Sequence, residues 1–162
     1  MSTESIASLA VIDIPLLTKL VSAAIVAFSL GPVGLAVGRI FVTLIESIAR
    51  NPSSRDKVFI LGILGFALTE AVALFALLVV FLILYSAAGP GQSEKVLSAA
   101  LATLPLGFVG LAVGNIFTTL VQSVARNPSA RDKVFVIGIL GFALTEAVAL
   151  FSLLVSFLIL YS

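Results

Sequence analysis

The chain alternates long apolar stretches with short polar connections. Four of the stretches reach the roughly 20 mostly apolar residues that a helix needs to cross a membrane. They run over about residues 15–49, 57–85, 95–125 and 133–161. Because polar and apolar positions do not alternate with the period of two that barrel strands require, the pattern excludes a membrane β-barrel. It predicts an all-α membrane protein with four spans, arranged as two helical hairpins.

The second half of the chain repeats the first at an offset of 76 residues. "VGLAVGRIFVTLIESIARNPSSRDKVF" aligns with "VGLAVGNIFTTLVQSVARNPSARDKVF", and roughly four in five positions are identical up to the last residue. The chain is therefore a tandem duplication, with one hairpin in each copy. We place the first hairpin (repeat 1) at residues 1–86, a linker at 87–95 and the second hairpin (repeat 2) at 96–162.

The composition narrows the possible chemistry. Hydrophobic residues make up 60% of the chain and charged residues 10%, with a mean hydropathy of +1.27, unlike a soluble domain. Cysteine and histidine are absent, which removes disulfides, thiolate ligands and the usual neutral-pH base. No phosphate-binding loop is present and the net charge is only +1, so nucleotide chemistry and nucleic-acid binding are not expected of this chain. We predict a protein that is not an enzyme and holds no metal or cofactor.

Two basic connections, at residues 50–57 and 126–133, predict the orientation of the spans. In each, a proline ends the preceding helix and three cations outnumber one aspartate. The cations are Arg50, Arg55 and Lys57 in repeat 1, and Arg126, Arg131 and Lys133 in repeat 2. The positive-inside rule places both connections in the cytoplasm or its equivalent, and the linker and both termini on the opposite side. Because no basic residue precedes Lys19, we interpret the N-terminal segment as a short tail rather than a signal peptide.

Small residues recur every three or four positions along the spans, which lets helix backbones approach closely in lipid. We expect packing roles for four glycines in each repeat: Gly34, Gly38, Gly62 and Gly65, then Gly110, Gly114, Gly138 and Gly141. Two such faces per hairpin favour a ring or array of hairpins over packing within one chain alone. Pro32 should kink the first span. Because Phe108 replaces it while Pro105 lies one turn earlier, the two hairpins need not bend identically.

"ILGFALTEAVALF" occurs once in each repeat, and each copy carries one glutamate, Glu70 or Glu146, within an apolar span. An ionised carboxylate at mid-membrane costs several kcal/mol, so each should rest protonated and ionise only where water or a positive partner reaches it. That behaviour suits a carrier that loads an ion in one place and releases it in another. The alternative is a neutral glutamate that serves as a buried hydrogen-bonding group with Thr69 or Thr145. Such a role does not explain an acid at the same depth in both repeats.

"RNPSSRDKVFILGILGFALTEAVALFALLVVFLILYS" and its second copy resemble the c subunit of F-type ATP synthases, particularly the mitochondrial kind and its bacterial relatives. The resemblance covers the chain from about residue 30 onward, including the Arg-Asn-Pro connection, the Thr-Glu-Ala context of the acid and the aromatic-rich tail. It implies that Glu70 and Glu146 are the proton-binding carboxylates, and we expect Thr69 and Thr145 to support them. It also implies that two polar loops contact the central stalk: Arg50, Asn51 and Pro52, and Arg126, Asn127 and Pro128.

The resemblance further implies a homo-oligomeric ring, surrounded by membrane lipids, that rotates against a stator subunit. Each carboxylate is protonated and deprotonated in turn as it meets an arginine of the stator, and rotation drives ATP synthesis on other subunits. The chain itself is then a non-catalytic, ion-translocating subunit. We expect it in a bacterial inner membrane, with a mitochondrial or chloroplast membrane as the alternative.

This sequence departs from the family in two ways. Members usually have one hairpin per chain, whereas this chain has two. They also usually show an unbroken G-x-G-x-G-x-G ladder, where this chain has Pro32, Gly34, Ala36 and Gly38. Fused four-helix chains resemble the proteolipid of V-type ATPases, but those commonly keep the acid in only one half. An F-type subunit with two carriers per chain is therefore the prediction, and a V-type proteolipid is the alternative.

The residues near each acid favour protons over sodium. Sodium-translocating relatives supply further oxygen ligands from a glutamine on the glycine helix and a serine after the glutamate. The aligned residues here are apolar: Val37 and Ala71, and Val113 and Ala147. Because a proton needs only the carboxyl group and a local acceptor, we predict proton transport, with sodium transport as the alternative.

One charged pair distinguishes the repeats. Arg39 and Glu46 of repeat 1 become Asn115 and Gln122 in repeat 2. Seven residues apart on one helix face, the pair is a candidate for a single ionic network. The alternative is a solvated glutamate and an arginine that extends toward the membrane surface.

Two other function classes fit the sequence less well. A secondary transporter should show broken helices and a polar substrate cavity at mid-membrane, and no such polar cluster is present in the spans. A purely structural proteolipid or pore would account for the small-residue faces. It would leave both glutamates unexplained.

Overall fold

The computed structural model describes residues 14–86 and 92–162, which form helices and the turns between them. In order, the helices are α1 (Ile14–Phe28), α2 (Leu30–Arg50), α3 (Arg55–Tyr85), α4 (Gln92–Leu101), α5 (Pro105–Arg126) and α6 (Arg131–Tyr161). The one-turn 3₁₀ helices Pro52–Ser54 and Pro128–Ala130 join α2 to α3 and α5 to α6. The predicted N-terminal tail, at residues 1–13, and residues 87–91 of the predicted linker lie outside the described residues.

The prediction of four spans is confirmed. Four helical stretches are long and apolar enough to cross a membrane: Pro15–Arg50, Pro52–Tyr85, Gln92–Arg126 and Pro128–Tyr161. The first combines α1 with α2 and the third combines α4 with α5. The fold is therefore the predicted all-α membrane architecture of two hairpins.

The first span of each repeat is broken next to a proline. Pro32 has no N–H to donate to the carbonyl of Phe28, where α1 ends. At the turn, the N–H and the hydroxyl of Ser29 both donate to the carbonyl of Val26. In repeat 2 the break comes directly before Pro105, at residues 102–104. The two breaks fall at different aligned positions, as the placement of the prolines predicts.

The two repeats lie side by side in two layers. Helices α2 and α5 make the most extensive contact, and α3 lies against both of them. Helix α6 packs on α5 and α4 and only sparsely on α3. The glycine-bearing helices α2 and α5 therefore form one layer and the glutamate-bearing helices α3 and α6 the other. The side of α6 that faces away from repeat 1 has no neighbouring helix among the described residues.

Two clusters of apolar side chains join the layers. One includes Ile40, Val72 and Phe117, which are fully buried. The other lies nearer the basic connections and includes Leu61 and Val121, also fully buried. Because each cluster takes residues from both repeats, the hairpins pack as one unit.

Glycines bring repeat 2 close to repeat 1. A Cβ built on Gly110 would lie only 2.6 Å from Cγ2 of Val33, so the side chain of Val33 occupies the space that a larger residue would need. The aligned glycine of repeat 1, Gly34, and its neighbour Gly38 would place a Cβ in open space, with nothing within 4 Å. Their packing role stays a prediction that concerns a neighbouring chain.

The other predicted packing glycines all lie against a side chain. Gly62 meets Leu44, Gly65 meets Phe117, Gly114 meets Ala36, Gly138 meets Leu120 and Gly141 meets Ile116. The contacts of Gly65 and Gly114 join the two repeats, whereas those of Gly62, Gly138 and Gly141 join helices of one hairpin. Close backbone approach is therefore used both within and between hairpins.

Candidate functional site

Glu70 and Glu146 lie near the midpoints of the two longest helices. Helices α3 and α6 have 31 residues each, which corresponds to about 46 Å. Each glutamate lies about 22 Å along the helix axis from the arginine that begins its helix, Arg55 or Arg131. Both carboxyl groups are thus held at the same depth, far from either polar end of a span.

Both glutamates lie within apolar spans. Among residues 14–86 and 92–162, no hydrogen bond or ion pair reaches the side chain of Glu70 or Glu146. An unpaired ionised carboxylate in hydrocarbon carries a large desolvation cost. The arrangement therefore suits a carboxyl group that is protonated when it faces lipid and ionises when water or a cation reaches it.

The two glutamates differ in exposure although the sequence around them is the same. Glu70 is exposed and Glu146 is half-buried; one turn further along, Ala73 is half-buried and Ala149 is fully buried. The difference must come from neighbouring helices. Among the described residues, another hairpin precedes the one that contains α6, and none precedes the one that contains α3. We therefore attribute the added burial of Glu146 to repeat 1, which covers the side of α6 that carries the acid.

The threonines that precede the glutamates face the other way. Thr69 is fully buried and Thr145 is half-buried, in keeping with the presence of repeat 2 beyond α3 and, among the described residues, of no helix beyond α6. Each hydroxyl donates to a carbonyl one turn earlier, Thr69 to Gly65 and Thr145 to Gly141, both at 2.7 Å. Their hydroxyl hydrogens are thus held by the helix itself, and their support of a proton site stays a prediction.

The six residues predicted to contact a stalk lie together at one end of the bundle, in and beside the two 3₁₀ turns. The amide of Asn51 donates to the carbonyl of Ala125 at 2.7 Å, which ties the repeat 1 turn to repeat 2. The side-chain oxygen of Asn127 instead accepts from the N–H and hydroxyl of Ser129 within its own turn. The same motif therefore has a bridging role in one repeat and a local role in the other.

The pair Arg39 and Glu46 does not form an ionic network within the chain. The carboxylate of Glu46 pairs with Arg50 at 3.3 Å, one helical turn away, and both side chains are exposed. Arg39 is exposed and has no ion pair with any other described residue. The described residues therefore agree with the alternative prediction, in which Glu46 is solvated and Arg39 is not part of an ionic network with it.

Sequence reasoning missed two serines that repair the helix break of repeat 2. At the break before Pro105, the N–H groups of Thr103 and Leu106 donate to Ala100 and Thr103, which leaves the carbonyls of Ala99 and Ala102 without their usual helical donors. Ser156 donates to the carbonyl of Ala99 at 3.0 Å, and Ser152 donates to that of Ala102. Repeat 1 has Ala76 and Val80 at the aligned positions. The sequence signal for this role was the replacement of Ala76 and Val80 by serines in the same repeat in which the proline is shifted.

Comparison with known proteins finds one family that matches each half of the chain. A family described as the ATP synthase c subunit matches twice, at residues 20–83 and 97–159. An ATP synthase c subunit of Granulibacter bethesdensis is 65% identical over 70 residues, which cover 95% of that protein and 43% of this chain. Another, of Gluconobacter oxydans, is 59% identical over 71 residues, covering 84% of it and 44% of this chain. A mitochondrial ATP synthase subunit 9 of Chondrus crispus is 55% identical over 71 residues, covering 93% of it and 44% of this chain.

Proposed function

The chain belongs to the ATP synthase c subunit family, and on this premise we propose that it is a proton-carrying subunit of the rotor ring of a rotary ATP synthase. In this proposal the chain is a proteolipid of the membrane sector and catalyses no reaction itself. ATP is made on other subunits. Because the chain holds two copies of the hairpin, it contributes two proton carriers.

The observation that carries the proposal is the pair of acids at equal depth. Glu70 and Glu146 occupy the middle of apolar helices, with no partner among the described residues. Each carboxyl group holds a proton while it faces hydrocarbon and releases it where water or a positive group of a stator subunit lowers the cost of the charge. The stator arginine belongs to another chain. Movement of the acids past it turns the ring and the central stalk.

Ring assembly is supported by surfaces that the chain leaves open. The glycine face of α5 receives Val33 and Ala36 of repeat 1. The aligned face of α2, with Gly34 and Gly38, receives nothing from the described residues. If α5 of a second copy packed against this face, the contact between the two repeats of one chain would be repeated between chains. Head-to-tail contacts of this kind close into rings.

Proton rather than sodium transport is supported by the residues at the ligand positions. Val37 and Val113 on the glycine helices and Ala71 and Ala147 after the acids carry no oxygen in their side chains. A sodium ion needs several oxygen ligands, whereas a proton needs one carboxyl group and a local acceptor. The transported ion in this proposal is H⁺.

The type of complex and its orientation are proposed on the same basis. The relatives, each of which matches less than half of the chain, are ATP synthase subunits, which supports an F-type over a V-type assembly. The polar turns at Asn51 and Asn127 contact the central stalk on the cytoplasmic side, and the termini lie on the opposite side. A bacterial inner membrane is the proposed location.

The proposal is tested by ATP-driven proton pumping in vesicles, followed with a pH-sensitive dye. The variants are Glu70→Gln, Glu146→Gln and the double variant, with Glu94→Gln as a control because Glu94 is an exposed acid at the start of α4. Loss of pumping in either single variant, with an assembled complex, is the expected result. Full pumping in the double variant would contradict the proposal, and Glu94→Gln should pump normally.

A further inference from the structure

One stripe of residues runs along the open face of the glycine-bearing layer in both repeats. On α5 it passes through the residues that align with those of α2, from Leu111 to Arg126, which are exposed or half-buried. Steps of three and four residues keep each series on one side of its helix. A cavity of about 410 Å³ is lined by Arg39, Thr118 and Gln122 among others, so the two series face a common space. We call them together the inner stripe. Its residues on α2, all exposed, are Leu35, Arg39, Val42, Glu46 and Arg50.

The inner stripe is polar near the basic connections and apolar beyond. From Arg50 to Arg39 it extends about 16 Å along the helix axis, and Val42 is the one apolar residue in this part of either repeat. The next position of the stripe is a leucine in both repeats, Leu35 and Leu111. One leaflet of a hydrocarbon core of roughly 30 Å is about 15 Å thick. The polar part therefore reaches from the basic connections to about the middle of the membrane.

The opposite layer is apolar at the same depths. Gly62 of α3 lies against Leu44 of α2, and the exposed residues beside Gly62 are Ile60 and Ile63. On α6 the exposed residues at the corresponding depth are Val136, Ile137 and Leu140. The side of α3 and α6 therefore suits hydrocarbon, whereas the charged groups of the inner stripe need more polar surroundings.

The shape of the bundle places the inner stripe at the centre of a ring. Among the helices that the structure describes, α2 and α5 make the most extensive contact, whereas α3 and α6 touch only sparsely. The bundle is therefore narrower on the side of the inner stripe. When wedges of this kind close head to tail, their narrow sides meet at the centre.

Docking of a second copy would leave the inner stripe open. Repeat 1 buries the glycine face of α5, at Gly110 and Gly114, yet Asn115 beside this face stays exposed. A second copy that covered the aligned face of α2 would leave Arg39, which aligns with Asn115, exposed in the same way.

Arg39 lies at the end of the polar part, at nearly the depth of Glu70. Leu44 contacts Gly62, and from that contact Arg39 lies about 8 Å further along α2 and Glu70 about 12 Å further along α3, in the same direction. Arg39 forms no ion pair or hydrogen bond with another described residue. A lone cation at this depth is costly in hydrocarbon, and water removes that cost. Because the aligned residue is Asn115, each chain contributes one such charge.

We propose that the polar part of the inner stripe lines a water-filled vestibule at the centre of the oligomer, which opens at the basic connections and ends at Arg39. Its arginines outnumber its one glutamate by two in each chain, so the vestibule attracts anions and repels cations. Water ends where the stripe becomes apolar, at Leu35 and Leu111. A wet, positive space that stops at mid-membrane gives cations no path through the centre of the ring. The inference rests on the ring assembly of the proposed function and not on the proton-carrier role of the glutamates.

The test measures how fast water-soluble thiol reagents modify single cysteines in the oligomer of the full chain, reconstituted in lipid vesicles with reagent on both sides. The chain has no cysteine of its own, so each variant has one thiol. Thr118→Cys lies in the polar part and Leu111→Cys in the apolar part, and both positions are half-buried on the same helix. Thr118→Cys should react at least about tenfold faster, because the reactive thiolate forms in water and not in hydrocarbon. Ile63→Cys, at an exposed position on the opposite layer, should be as slow as Leu111→Cys.

Two methanethiosulfonates of similar size and opposite charge, sulfonatoethyl and trimethylammonioethyl, test the sign of the charge. In Thr118→Cys the anionic reagent should be favoured, once each rate is divided by that of the reagent with a free thiol in solution. Arg39→Gln should lower this preference at least about fivefold, which is the scale of one unit charge acting through water on reagents of opposite sign. Arg39→Lys should retain the preference. Arg55→Gln should retain it too, because it removes a charge at an exposed arginine that pairs with Asp56 outside the inner stripe.

Native gel electrophoresis establishes that each variant forms an oligomer of the same size. If Thr118→Cys in such an oligomer reacts as slowly as Leu111→Cys, lipid or another protein fills the space and there is no vestibule. If Arg39→Gln and Arg55→Gln lower the anion preference equally, only diffuse surface charge acts and the role of Arg39 is wrong. Both results would leave the proposed rotor function standing, because proton pumping is measured separately. A chain that forms no closed oligomer would overturn the ring and this inference together.

Discussion

Phe117 of repeat 2 lies against Gly65 of repeat 1 so closely that a Cβ on Gly65 would stand 2.5 Å from the Cβ of Phe117. The aligned glycine of repeat 2, Gly141, has a looser contact, in which Cδ1 of Ile116 would lie 3.5 Å from a Cβ. Phe41 aligns with Phe117, so a second copy of the chain would bring its Phe41 to Gly141. The contact between hairpins at Gly65 is thus formed within the chain. The equivalent surface at Gly141 has no second hairpin against it among the described residues.

We expect Gly65→Ala to destabilise the chain itself, because the new methyl group would press on Phe117 in a packed core. Overpacking of this kind costs about 1–3 kcal/mol. The matched variant Gly141→Ala adds the same methyl group at a looser position and should change the stability of the isolated chain much less. Thermal unfolding of both variants in detergent, followed by the loss of helical circular dichroism, measures the difference.

The relative effects of the two glycine substitutions should reverse when assembly between chains is measured. If a neighbouring chain brings Phe41 to Gly141, then Gly141→Ala should reduce the yield of the assembled oligomer even though the single chain folds. Native gel electrophoresis measures that yield. Equal effects of the two variants on the isolated chain would show that the junction contact of Gly65 does not limit stability.

The reactivity of Glu70 and Glu146 toward a hydrophobic carbodiimide should depend on assembly. In the dissociated chain Glu70 is exposed and Glu146 is half-buried beside repeat 1, so Glu70 should be modified faster. In the oligomer the preceding chain would cover Glu70 as repeat 1 covers Glu146, and the two rates should approach each other. Mass spectrometry of peptides from each repeat gives the ratio. A ratio that is the same in both states would argue against burial by the preceding hairpin.

The turn residues Asn51 and Asn127 should contribute differently to the stability of the protein. Asn51→Ala removes the hydrogen bond to the carbonyl of Ala125 that joins the repeats, and a hydrogen bond of this kind contributes about 1 kcal/mol. Asn127→Ala removes only contacts within its own turn. Thermal unfolding should therefore show a lower midpoint for Asn51→Ala than for Asn127→Ala. The opposite order would mean that the local turn, and not the bridge, stabilises this end of the bundle.

The sequence predicts the four spans and the position of the two glutamates within them, because span length and a charge within an apolar run are properties of single segments. It cannot distinguish Gly34 from Gly110, which have nearly the same neighbours in sequence. One faces open space and the other meets Val33, and only the position of a hairpin in the chain decides this. The partner of Glu46 was also ambiguous, since Arg39 and Arg50 share its helix. The shorter spacing of one turn gives the pair with Arg50.

The serines at the helix break give a prediction that tests the local structure of repeat 2. Ser152 and Ser156 donate to the carbonyls of Ala102 and Ala99, which the turn before Pro105 leaves without helical donors. Replacing either with alanine leaves a carbonyl unpaired in an apolar surrounding, so each variant should lower the free energy of unfolding by about 1–3 kcal/mol.

The control is Ser98→Ala on the exposed side of α4, which should have little effect. Thermal unfolding in detergent ranks the variants. Replacing Pro105 with alanine as well should reduce the cost of losing Ser152, because an N–H at position 105 permits a regular helix through the break. A cost that is unchanged in the Pro105→Ala background would mean that the serines stabilise α6 packing in some way other than by satisfying those carbonyls.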